Sequence, residues 1–412
     1  MNGFAIAVFA LCYLGMALGR VPGLKLDRAG IALLALASLL AAGALDLSAW
    51  AGAVNVPTVT LLFALMLLSA QLQAAGFYDF CAARIAAARL SPRGLLALVV
   101  AVSGGLSAIL ANDVVVFALT PLLAAGIVRR RRDPRPYLLA LAAAANAGSA
   151  ATVIGNPQNI LIGQVGQLDF LHFLAICGPP AAIALALVYF CIAWAWREEL
   201  ATAREEGETA REAPPVPLDR WQTAKGALAA AAIVILFLSD LPHEIGALAI
   251  AALLLASRRL SSRDMLGTVD WHLLLLFACL FGVTAAFGAT GLPGEALQWL
   301  AARGLAPESL ALLLPISLAA SNTVGNVPAV ILILGIWPAP PEGALYALAL
   351  LTTLSGNLLL TGSIANLIVA ERAQAVGLRL SFADFARAGI PMTLASLAVA
   401  ALWLWAVGAV VV

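Results

Sequence analysis

The residues best suited to chemistry lie inside one apolar run, ILANDVVVFALTPLL, which extends from Ile109 to Leu123. Asn112 and Asp113 interrupt a segment that otherwise has the composition of a membrane-spanning helix. A carboxylate at that depth costs at least about 2.5–3.5 kcal/mol, even on the lenient insertion scale. Residues of this kind usually bind a coupling ion, a proton or a substrate, so these two are the first candidates for a transport site.

Three further apolar segments carry polar centres, and two of them contain helix-breaking sequences. Gly-Asn-Pro at 155–157 and Gly-Ser-Ile-Ala at 362–365 stop a helix and leave backbone groups unpaired. Unpaired backbone is tolerated at membrane depth only where it lines a protein-walled cavity. Helix N-termini in such a cavity favour anions, whereas carbonyl and amide oxygens suit Na⁺. The third segment, SNTVGNVP, begins at Ser321.

Together these four segments predict one site. We expect the substrate to be bound by Asn112, Asp113, Asn156, Asn159, Asn326, Thr361, Ser363 and Asn366. We expect the coupling ion to be bound by Asp113, Asn112, Ser107, Gly155, Asn322 and Gly362. The alternative is that such residues only join helices by hydrogen bonds, which explains an isolated Ser or Thr better than four segments in matching positions.

The overall composition indicates what must position these segments. The chain has 412 residues, of which 63% are hydrophobic and 11% charged, and its mean hydropathy is +0.99. Apolar runs of helical length recur from end to end, so we predict an all-α polytopic membrane protein. The five cysteines and three histidines lack the spacing of metal ligands, so we expect no cofactor and no metal other than a bound Na⁺.

About ten crossings and two re-entrant helical hairpins are predicted. The crossings lie near 3–19, 29–45, 56–75, 136–166, 170–196, 224–240, 244–257, 270–290, 343–375 and 385–410. Two of these, 136–166 and 343–375, are broken near the midplane. The hairpins are 94–128 and 308–336, which have polar centres and room for two short legs each. Amphipathic helices are expected at 77–90 and 292–304, lying in the membrane interface.

Basic residues support this topology. Of the 23 lysines and arginines, 22 fall in loops on one side, and only Arg303 falls on the other. Basic loops stay cytoplasmic, so both termini are expected outside, in a bacterial-type inner membrane. The arginine run at 129–132 then lies beside anionic lipid headgroups, and we expect no binding to nucleic acid.

The two halves of the chain repeat one another. NVPTVTLLFALMLLSAQLQAAGF from Asn55 aligns without a gap with DWHLLLLFACLFGVTAAFGATGL from Asp270, and GNPQNILI from Gly155 aligns with GSIANLIV from Gly362. Each half has five crossings, an odd number, so the second repeat is expected to be inverted relative to the first. The predicted divisions are a first inverted repeat (1–196), a cytoplasmic linker (197–222) and a second inverted repeat (223–412).

At these motifs the sequence resembles the ion transporter superfamily, in particular its arsenite permease, citrate-transporter-like and divalent anion:sodium symporter families. The resemblance covers nearly the whole chain and rests on the hairpin motifs Asn112–Pro121 and Asn326–Gly335 and on the turns 155–159 and 362–366. It implies an elevator-type carrier, often a homodimer, that moves small anions or oxyanions with H⁺ or Na⁺. The Ser-Asn-Thr of dicarboxylate carriers is Ala-Asn-Asp here, at 111–113, which looks more like the proton-coupled arsenite permeases.

We therefore expect a secondary active transporter of a small anion or oxyanion, with proton-coupled arsenite or antimonite efflux as the alternative. The chain has no G-x-x-x-x-G-K-[ST] motif, which argues against a primary pump. An enzyme would need clustered acids, histidines or an activated nucleophile, and a single deep carboxylate argues against one. A channel would not need two symmetric broken segments, although composition alone does not exclude it.

Asp113 is the expected coupling carboxylate. The low dielectric of the membrane interior disfavours the charged form of a carboxyl group, which suits a residue that takes up a proton on one side and releases it on the other. The alternative is that Asp113 caps the second leg of its hairpin, a position where Asp is favoured.

Overall fold

The computed structural model describes residues 1–19, 23–201, 217–337 and 339–411. In the first half the helices are α1 (Asn2–Leu18), α2 (Arg28–Ala41), α3 (Leu47–Ala53), α4 (Val56–Ala74), α5 (Phe77–Ala87), α6 (Pro92–Ser107), α7 (Asn112–Arg129), α8 (Arg135–Ser149), α9 (Pro157–Gly166), α10 (Phe170–Ala195) and α11 (Arg197–Ala201). In the second half they are α12 (Arg220–Phe237), α13 (His243–Leu255), α14 (Ser262–Gly267), α15 (Trp271–Gly288), α16 (Leu292–Ala301), α17 (Leu310–Val324), α18 (Asn326–Ile336), α19 (Glu342–Ser355), α20 (Ile364–Ala375) and α21 (Phe382–Ala406). A 3₁₀ helix, Leu360–Gly362, precedes α20.

Five of these helices are long and apolar enough to cross a membrane: α4, α7, α10, α15 and α21. Large apolar side chains such as Phe190, Trp194 and Leu402 are exposed on them, as a surface in contact with lipid requires. Shorter apolar helices, including both legs of the second hairpin, pack around the long ones. The prediction of an all-α polytopic membrane protein is confirmed, whereas the number of crossings stays a prediction.

The order of the helices repeats along the chain. A long helix (α4, α15) is followed by a short one (α5, α16), a two-helix hairpin (α6–α7, α17–α18), a broken helix (α8–α9, α19–α20) and a second long helix (α10, α21). The last pair runs antiparallel, because Trp403 Nε1 donates to the carbonyl of Ile176 at 2.8 Å while Arg387 lies over the ring of Trp196 at 5.6 Å. This arrangement supports the predicted inversion, which itself stays a prediction.

Both hairpins end near the place where they begin. Gly126, near the end of α7, packs against Ala86 just before α6, and a Cβ on this glycine would lie 2.3 Å from the Ala86 methyl group. In the second hairpin the first N–H of α17, on Leu310, donates to the carbonyl of Val411 at 2.9 Å. The chain that follows this hairpin returns to the same C-terminal segment, where Gly343 meets the Ala409 carbonyl. These contacts agree with re-entrant hairpins, although α7 alone is long enough to cross.

The first broken helix packs closely against its neighbours because its buried residues are mostly small. α8 is rich in alanine, and its residues from Pro136 to Ser149 are all buried. Gly148 lies directly on α6, where a Cβ would come 2.1 Å from the carbonyl oxygen of Gly104. Small residues of this kind allow membrane helices to approach one another at backbone distance. The first hairpin is thereby held against the helix that leads to the first break.

The predicted linker, 197–222, is described only at its ends. α11 occupies its start and α12 begins at Arg220, while 202–216 lie outside the described residues. Asp219 caps α12 by accepting from the N–H groups of Trp221 and Gln222, at 3.1 Å each, and pairs with Arg259 at 3.1 Å. The Gln222 N–H, with a smaller effect of Arg259, holds the pKa of Asp219 below its usual range.

Candidate functional site

The first break, between α8 and α9, is organised by one amide side chain. Asn159 Nδ2 donates to the carbonyls of Ser149 and Thr152, at 3.2 and 3.0 Å. Asn156 caps α9 by accepting from the Asn159 N–H at 2.8 Å. Gly155 packs on Ser149 so closely that a Cβ would lie 2.3 Å from its carbonyl oxygen. The turn therefore requires glycine at this position. The side-chain amide of Asn159 pairs with carbonyls that the end of α8 leaves without a helical partner.

The second break, between α19 and α20, is built in the same way. Asn366 Nδ2 donates to the carbonyls of Gly356 and Leu359, at 2.8 and 3.2 Å. Ser363 is the N-cap of α20. A Cβ on Gly362 would lie 2.8 Å from the carbonyl oxygen of Gly356. Each of these groups lies 207 positions after its counterpart in the first break, so the sequence repeat is also a repeat of hydrogen bonds.

Side chains of each half also form hydrogen bonds with the broken helix of the other half. Asn146, in α8, donates through Nδ2 to the side-chain oxygens of Asn357 and Asn366, at 2.9 and 3.0 Å. Its own side-chain oxygen accepts from the Ser363 hydroxyl at 2.9 Å. All four residues are buried. Buried, fully paired networks of this kind fix one arrangement of the helices that contribute to them.

Thr353, in α19, makes the reciprocal contact with the first half. Its hydroxyl oxygen accepts from Asn156 Nδ2 at 3.3 Å and from Gln158 Nε2 at 3.1 Å. Thr353 lies 207 positions after Asn146. Neither residue is among the predicted site residues, and that spacing is the sequence signal that could have identified them as a pair.

The tip of the first hairpin, between its two legs, lies beside the first break. The Thr152 hydroxyl donates to the carbonyl of Ala108, at the end of the first leg, at 2.5 Å. The second leg begins at Asn112, which is only 6% exposed. The side-chain oxygens of Ser107 and Asn112 are buried and have no hydrogen-bond partner in the described part of the chain.

The tip of the second hairpin, between α17 and α18, lies beside the second break. Asn322 Nδ2 donates to the carbonyl of Ser355 at 2.9 Å. Asn326, with its amide nitrogen oriented towards the break, donates to the carbonyls of Gly362 and Thr352 at 3.1 and 3.2 Å. The hairpin is therefore joined to both sides of the break through two asparagine side chains.

Buried side-chain oxygens are left unpaired at both meeting points. Within the described ranges these oxygens belong to Ser107, Asn112, Asn159, Ser321, Asn322 and Ser355. Native proteins leave few buried polar atoms unpaired, so a group of them indicates a ligand or an ordered water. In broken-helix transporters Na⁺ is coordinated by the backbone carbonyls of unwound helices, and hydroxyl and amide side chains supply uncharged oxygen donors of the same kind. The residues present therefore fit a bound Na⁺.

A cavity of about 430 Å³ leads to the first hairpin and the first break. Asp113, Asn156 and Phe117 line it from the first hairpin and the first broken helix. Met66 of α4 and Asp270 at the start of α15 also line it. The cavity is therefore bounded by the hairpin and broken helix together with the long helices α4 and α15.

Asp113 does not cap α7. The N-cap residue is Ala111, and no side chain caps this helix by a hydrogen bond. Asp113 lies in the first turn, where the helix dipole favours a negative charge, and its carboxylate faces the cavity. The alternative that Asp113 serves only as the cap of the second leg is therefore wrong.

Seven of the eight predicted substrate residues fall into two groups. Those that join the hydrogen-bond network at the breaks are Asn156, Asn159, Asn326, Ser363 and Asn366. Asp113 lines the cavity, as Asn156 also does, and Asn112 is buried beside it. Thr361 lies in the 3₁₀ helix and is exposed, so it joins neither group.

Known proteins share the sequence and the fold. The sequence profile of the citrate transporter family, CitMHS, matches residues 13–345. The silicon efflux transporter LSI3 of Oryza sativa subsp. japonica is 27% identical over 91% of each chain. The inner membrane protein YbiR of Escherichia coli K12 is 30% identical over 79% of this chain and 82% of that protein. The crystal structure of the Alcanivorax borkumensis YdaH transporter superposes with a TM-score of 0.60, at 15% identity, over 98% of this chain and 97% of that one, so the fold is shared.

Proposed function

Because the chain belongs to the citrate transporter family CitMHS, a family of membrane transporters, we propose that it is a secondary active transporter of a small oxyanion or its uncharged oxyacid, coupled to H⁺ or Na⁺. The observation that carries the proposal is the reciprocal contact of the halves, in which Asn146 and Thr353 each bond to the break of the other half. Two broken helices that meet in the interior are the usual substrate site of secondary transporters.

The substrate is bound, in this proposal, between the two breaks and the two hairpin tips. The predicted residues are Asn112, Asp113, Asn156, Asn159, Asn326, Thr361, Ser363 and Asn366. Amide groups donate to the oxygens of an oxyanion or oxyacid, and the N-termini of α9 and α20 add the positive ends of two helix dipoles. The cavity gives the substrate access to this place from one side.

The coupling ion is bound next to the substrate. Na⁺ would be held at the first meeting point by the unpaired oxygens of Ser107 and Asn112, with Gly155 as the predicted backbone contributor, and at the second by the oxygen of Asn322, which lies beside Gly362. When bound, the ion supplies a positive charge that attracts an anionic substrate. A proton on Asp113 has an equivalent effect, because it removes the negative charge that would repel an anion.

Alternating access follows an elevator motion. The hairpins and broken helices form the moving unit, and α4 and α15 belong to the part that stays fixed. The short helices α5 and α16 connect the two parts. The carrier forms a homodimer in a bacterial-type inner membrane, with both termini outside and the basic loops in the cytoplasm.

A second candidate function is the proton-coupled efflux of arsenite or antimonite. It is favoured by the position of Asp113, which lines the cavity and makes no ion pair with another described residue. A related protein is named as a silicon efflux transporter, and silicon and arsenic both form small, uncharged hydroxide acids near neutral pH. An ion channel is the remaining alternative.

The proposal is tested by ligand stabilisation followed by transport. Purified protein is heated with arsenite, phosphate, sulfate, citrate or succinate, each with and without Na⁺ and at two pH values. We expect one oxyanion or oxyacid to raise the melting temperature, and Na⁺ or low pH to change that effect. Liposomes containing the protein should then show saturable uptake and counterflow of the same compound. Uptake that does not saturate and shows no counterflow would indicate a channel instead.

A further inference from the structure

Among the described residues, the ionisable side chains that line the cavity reaching Asp113 are both acidic. Asp113 contributes a carboxylate from the first hairpin, and Asp270 contributes a second from the start of α15. The other lining residues are apolar or carry uncharged polar groups, such as Gln73 and Thr268. A cleft with low-dielectric walls and charges of one sign concentrates ions of the opposite sign and excludes ions of the same sign.

Three basic residues on neighbouring helices contact other groups of the protein. Arg372 stacks on the ring of Phe117, with its guanidinium carbon 3.5 Å from the ring centre. His272 lies 3.7 Å from the carboxylate of Asp27. Arg28 contacts the tip of the second hairpin, where its guanidinium would lie 3.2 Å from a Cβ on the tip glycine. Arg372 thus lies against a ring that lines the cavity, while among the described residues the ionisable side chains on the lining itself are the two carboxylates.

The negative charge of Asp270 is not required for the fold. Asp270 caps α15 by accepting from the Leu273 N–H at 3.0 Å. At the aligned position of the first half, Asn55 caps α4 by accepting from the Thr58 N–H, also at 3.0 Å. An amide therefore performs the same structural role in this chain, since Asn and Asp cap helices about equally well. The charge at position 270 is free for another use.

We propose that Asp270 is a specificity-determining residue, which with Asp113 makes the cavity repel free anions and admit the substrate in an uncharged form. The inference rests on the proposed transport function and narrows it, because it selects the uncharged oxyacid over the oxyanion on this side of the membrane. The residue acts on access from the cavity and not on binding between the two breaks.

The test measures the charge preference of the cavity without a transported compound. Met66→Cys places a thiol on the cavity wall, and a positively and a negatively charged methanethiosulfonate reagent of similar size are compared in full-length protein in liposomes. Each rate is divided by the rate of the same reagent with a free thiol. Labelling of the native cysteines is subtracted by using the protein without the added cysteine.

We expect the positive reagent to be favoured roughly tenfold or more with Asp270 present, and Asp270→Asn to reduce that ratio by about threefold or more. High salt should reduce it as well. Asp46→Asn is the matched control, because Asp46 caps α3 through the Ala49 N–H and lies outside the cavity, and it should leave the ratio unchanged. Because Met66 is buried, Gln73→Cys gives a second position in the same cavity.

An unchanged ratio in Asp270→Asn, or a preference for the negative reagent in the parent, would overturn the inference. Neither result would touch the transport proposal, which is judged separately by uptake and counterflow in liposomes. Conversely, a charge-selective cavity in a protein that fails to transport would leave the role of Asp270 in access intact and remove the proposed function.

Discussion

Asn146 and Thr353 lie 207 positions apart, and each bonds to the broken-helix turn of the half that does not contain it. The two breaks are thereby held together by two reciprocal contacts and not by general packing alone. Because these contacts are buried and polar, they define one relative position of the halves. A site formed between the two breaks therefore depends on both of these reciprocal contacts.

Thr353→Val tests this coupling of the halves. The change keeps the shape of the side chain and removes the oxygen that accepts from Asn156 and Gln158. Gln158 Nε2 then loses its acceptor, while Asn156 Nδ2 keeps only its bonds to Ser149. The loss should lower the free energy of unfolding by about 1–3 kcal/mol, and transport should fall as well. The measurement is thermal unfolding of the purified protein together with liposome uptake.

The neighbouring residue supplies the control. Thr352 is equally buried, but its hydroxyl donates within its own helix, to the carbonyl of Leu348. Thr352→Val should therefore cost clearly less stability than Thr353→Val. Equal losses in the two variants would show that the contact between halves has no special role.

Gly155→Ala should disrupt the first break. The added Cβ would lie 2.3 Å from the carbonyl oxygen of Ser149 and 2.7 Å from its Cα, so the backbone must move. We expect a loss of about 1–3 kcal/mol, as at an overpacked core site, and a sharp drop in folded yield. Gly105→Ala is the control, since a Cβ there meets nothing within 4 Å, and alanine favours its helix by up to about 1 kcal/mol. Similar yields for the two variants would contradict this view of the turn.

Asn112→Ala and Asn326→Ala should separate ligand binding from structure. The Asn112 oxygen is buried without a partner among the described residues, so its removal should abolish transport with little effect on the melting temperature. Asn326 bonds to the second break, so its removal should lower transport and also stability, by about 1 kcal/mol. Both effects are read from uptake and thermal unfolding of the same samples. Full saturable transport in both variants would place the substrate site elsewhere.

Cysteine labelling tests the topology. Cysteines are introduced one at a time at positions 130 and 258. Position 130 lies in the basic loop after the first hairpin, and position 258 lies in the basic loop after α13. Membrane-impermeant reagents should modify both only from the cytoplasmic side, because basic loops stay there. Modification of the two positions from opposite sides would exclude five crossings and one re-entrant hairpin in each half.

The sequence predicts the helices well, because apolar runs and breaking residues are local signals. The two-helix hairpins lie where the polar centres indicated them, and the breaks lie at Gly-Asn-Pro in the first half and Gly-Ser-Ile-Ala in the second. The partners of Asn146 and the position of Asp270 on the cavity wall were not predicted, since both depend on what packs opposite these residues. Asn146 finds its partners more than 200 positions away, and Asp270 has the local pattern of an ordinary helix cap. Thr361 is predicted to bind substrate and lies exposed in the 3₁₀ helix, and its role stays a prediction.

The most direct test of the whole account is gradient-driven uptake by Asp113→Asn in liposomes. Asn keeps the size of the side chain but does not titrate, and no cap is lost because Asp113 does not cap α7. With the oxyanion or oxyacid found by thermal stabilisation, this variant should lose accumulation driven by a pH or Na⁺ gradient and keep exchange of bound substrate, while Asp46→Asn should behave like the parent. Unaltered gradient-driven accumulation in Asp113→Asn would contradict the account.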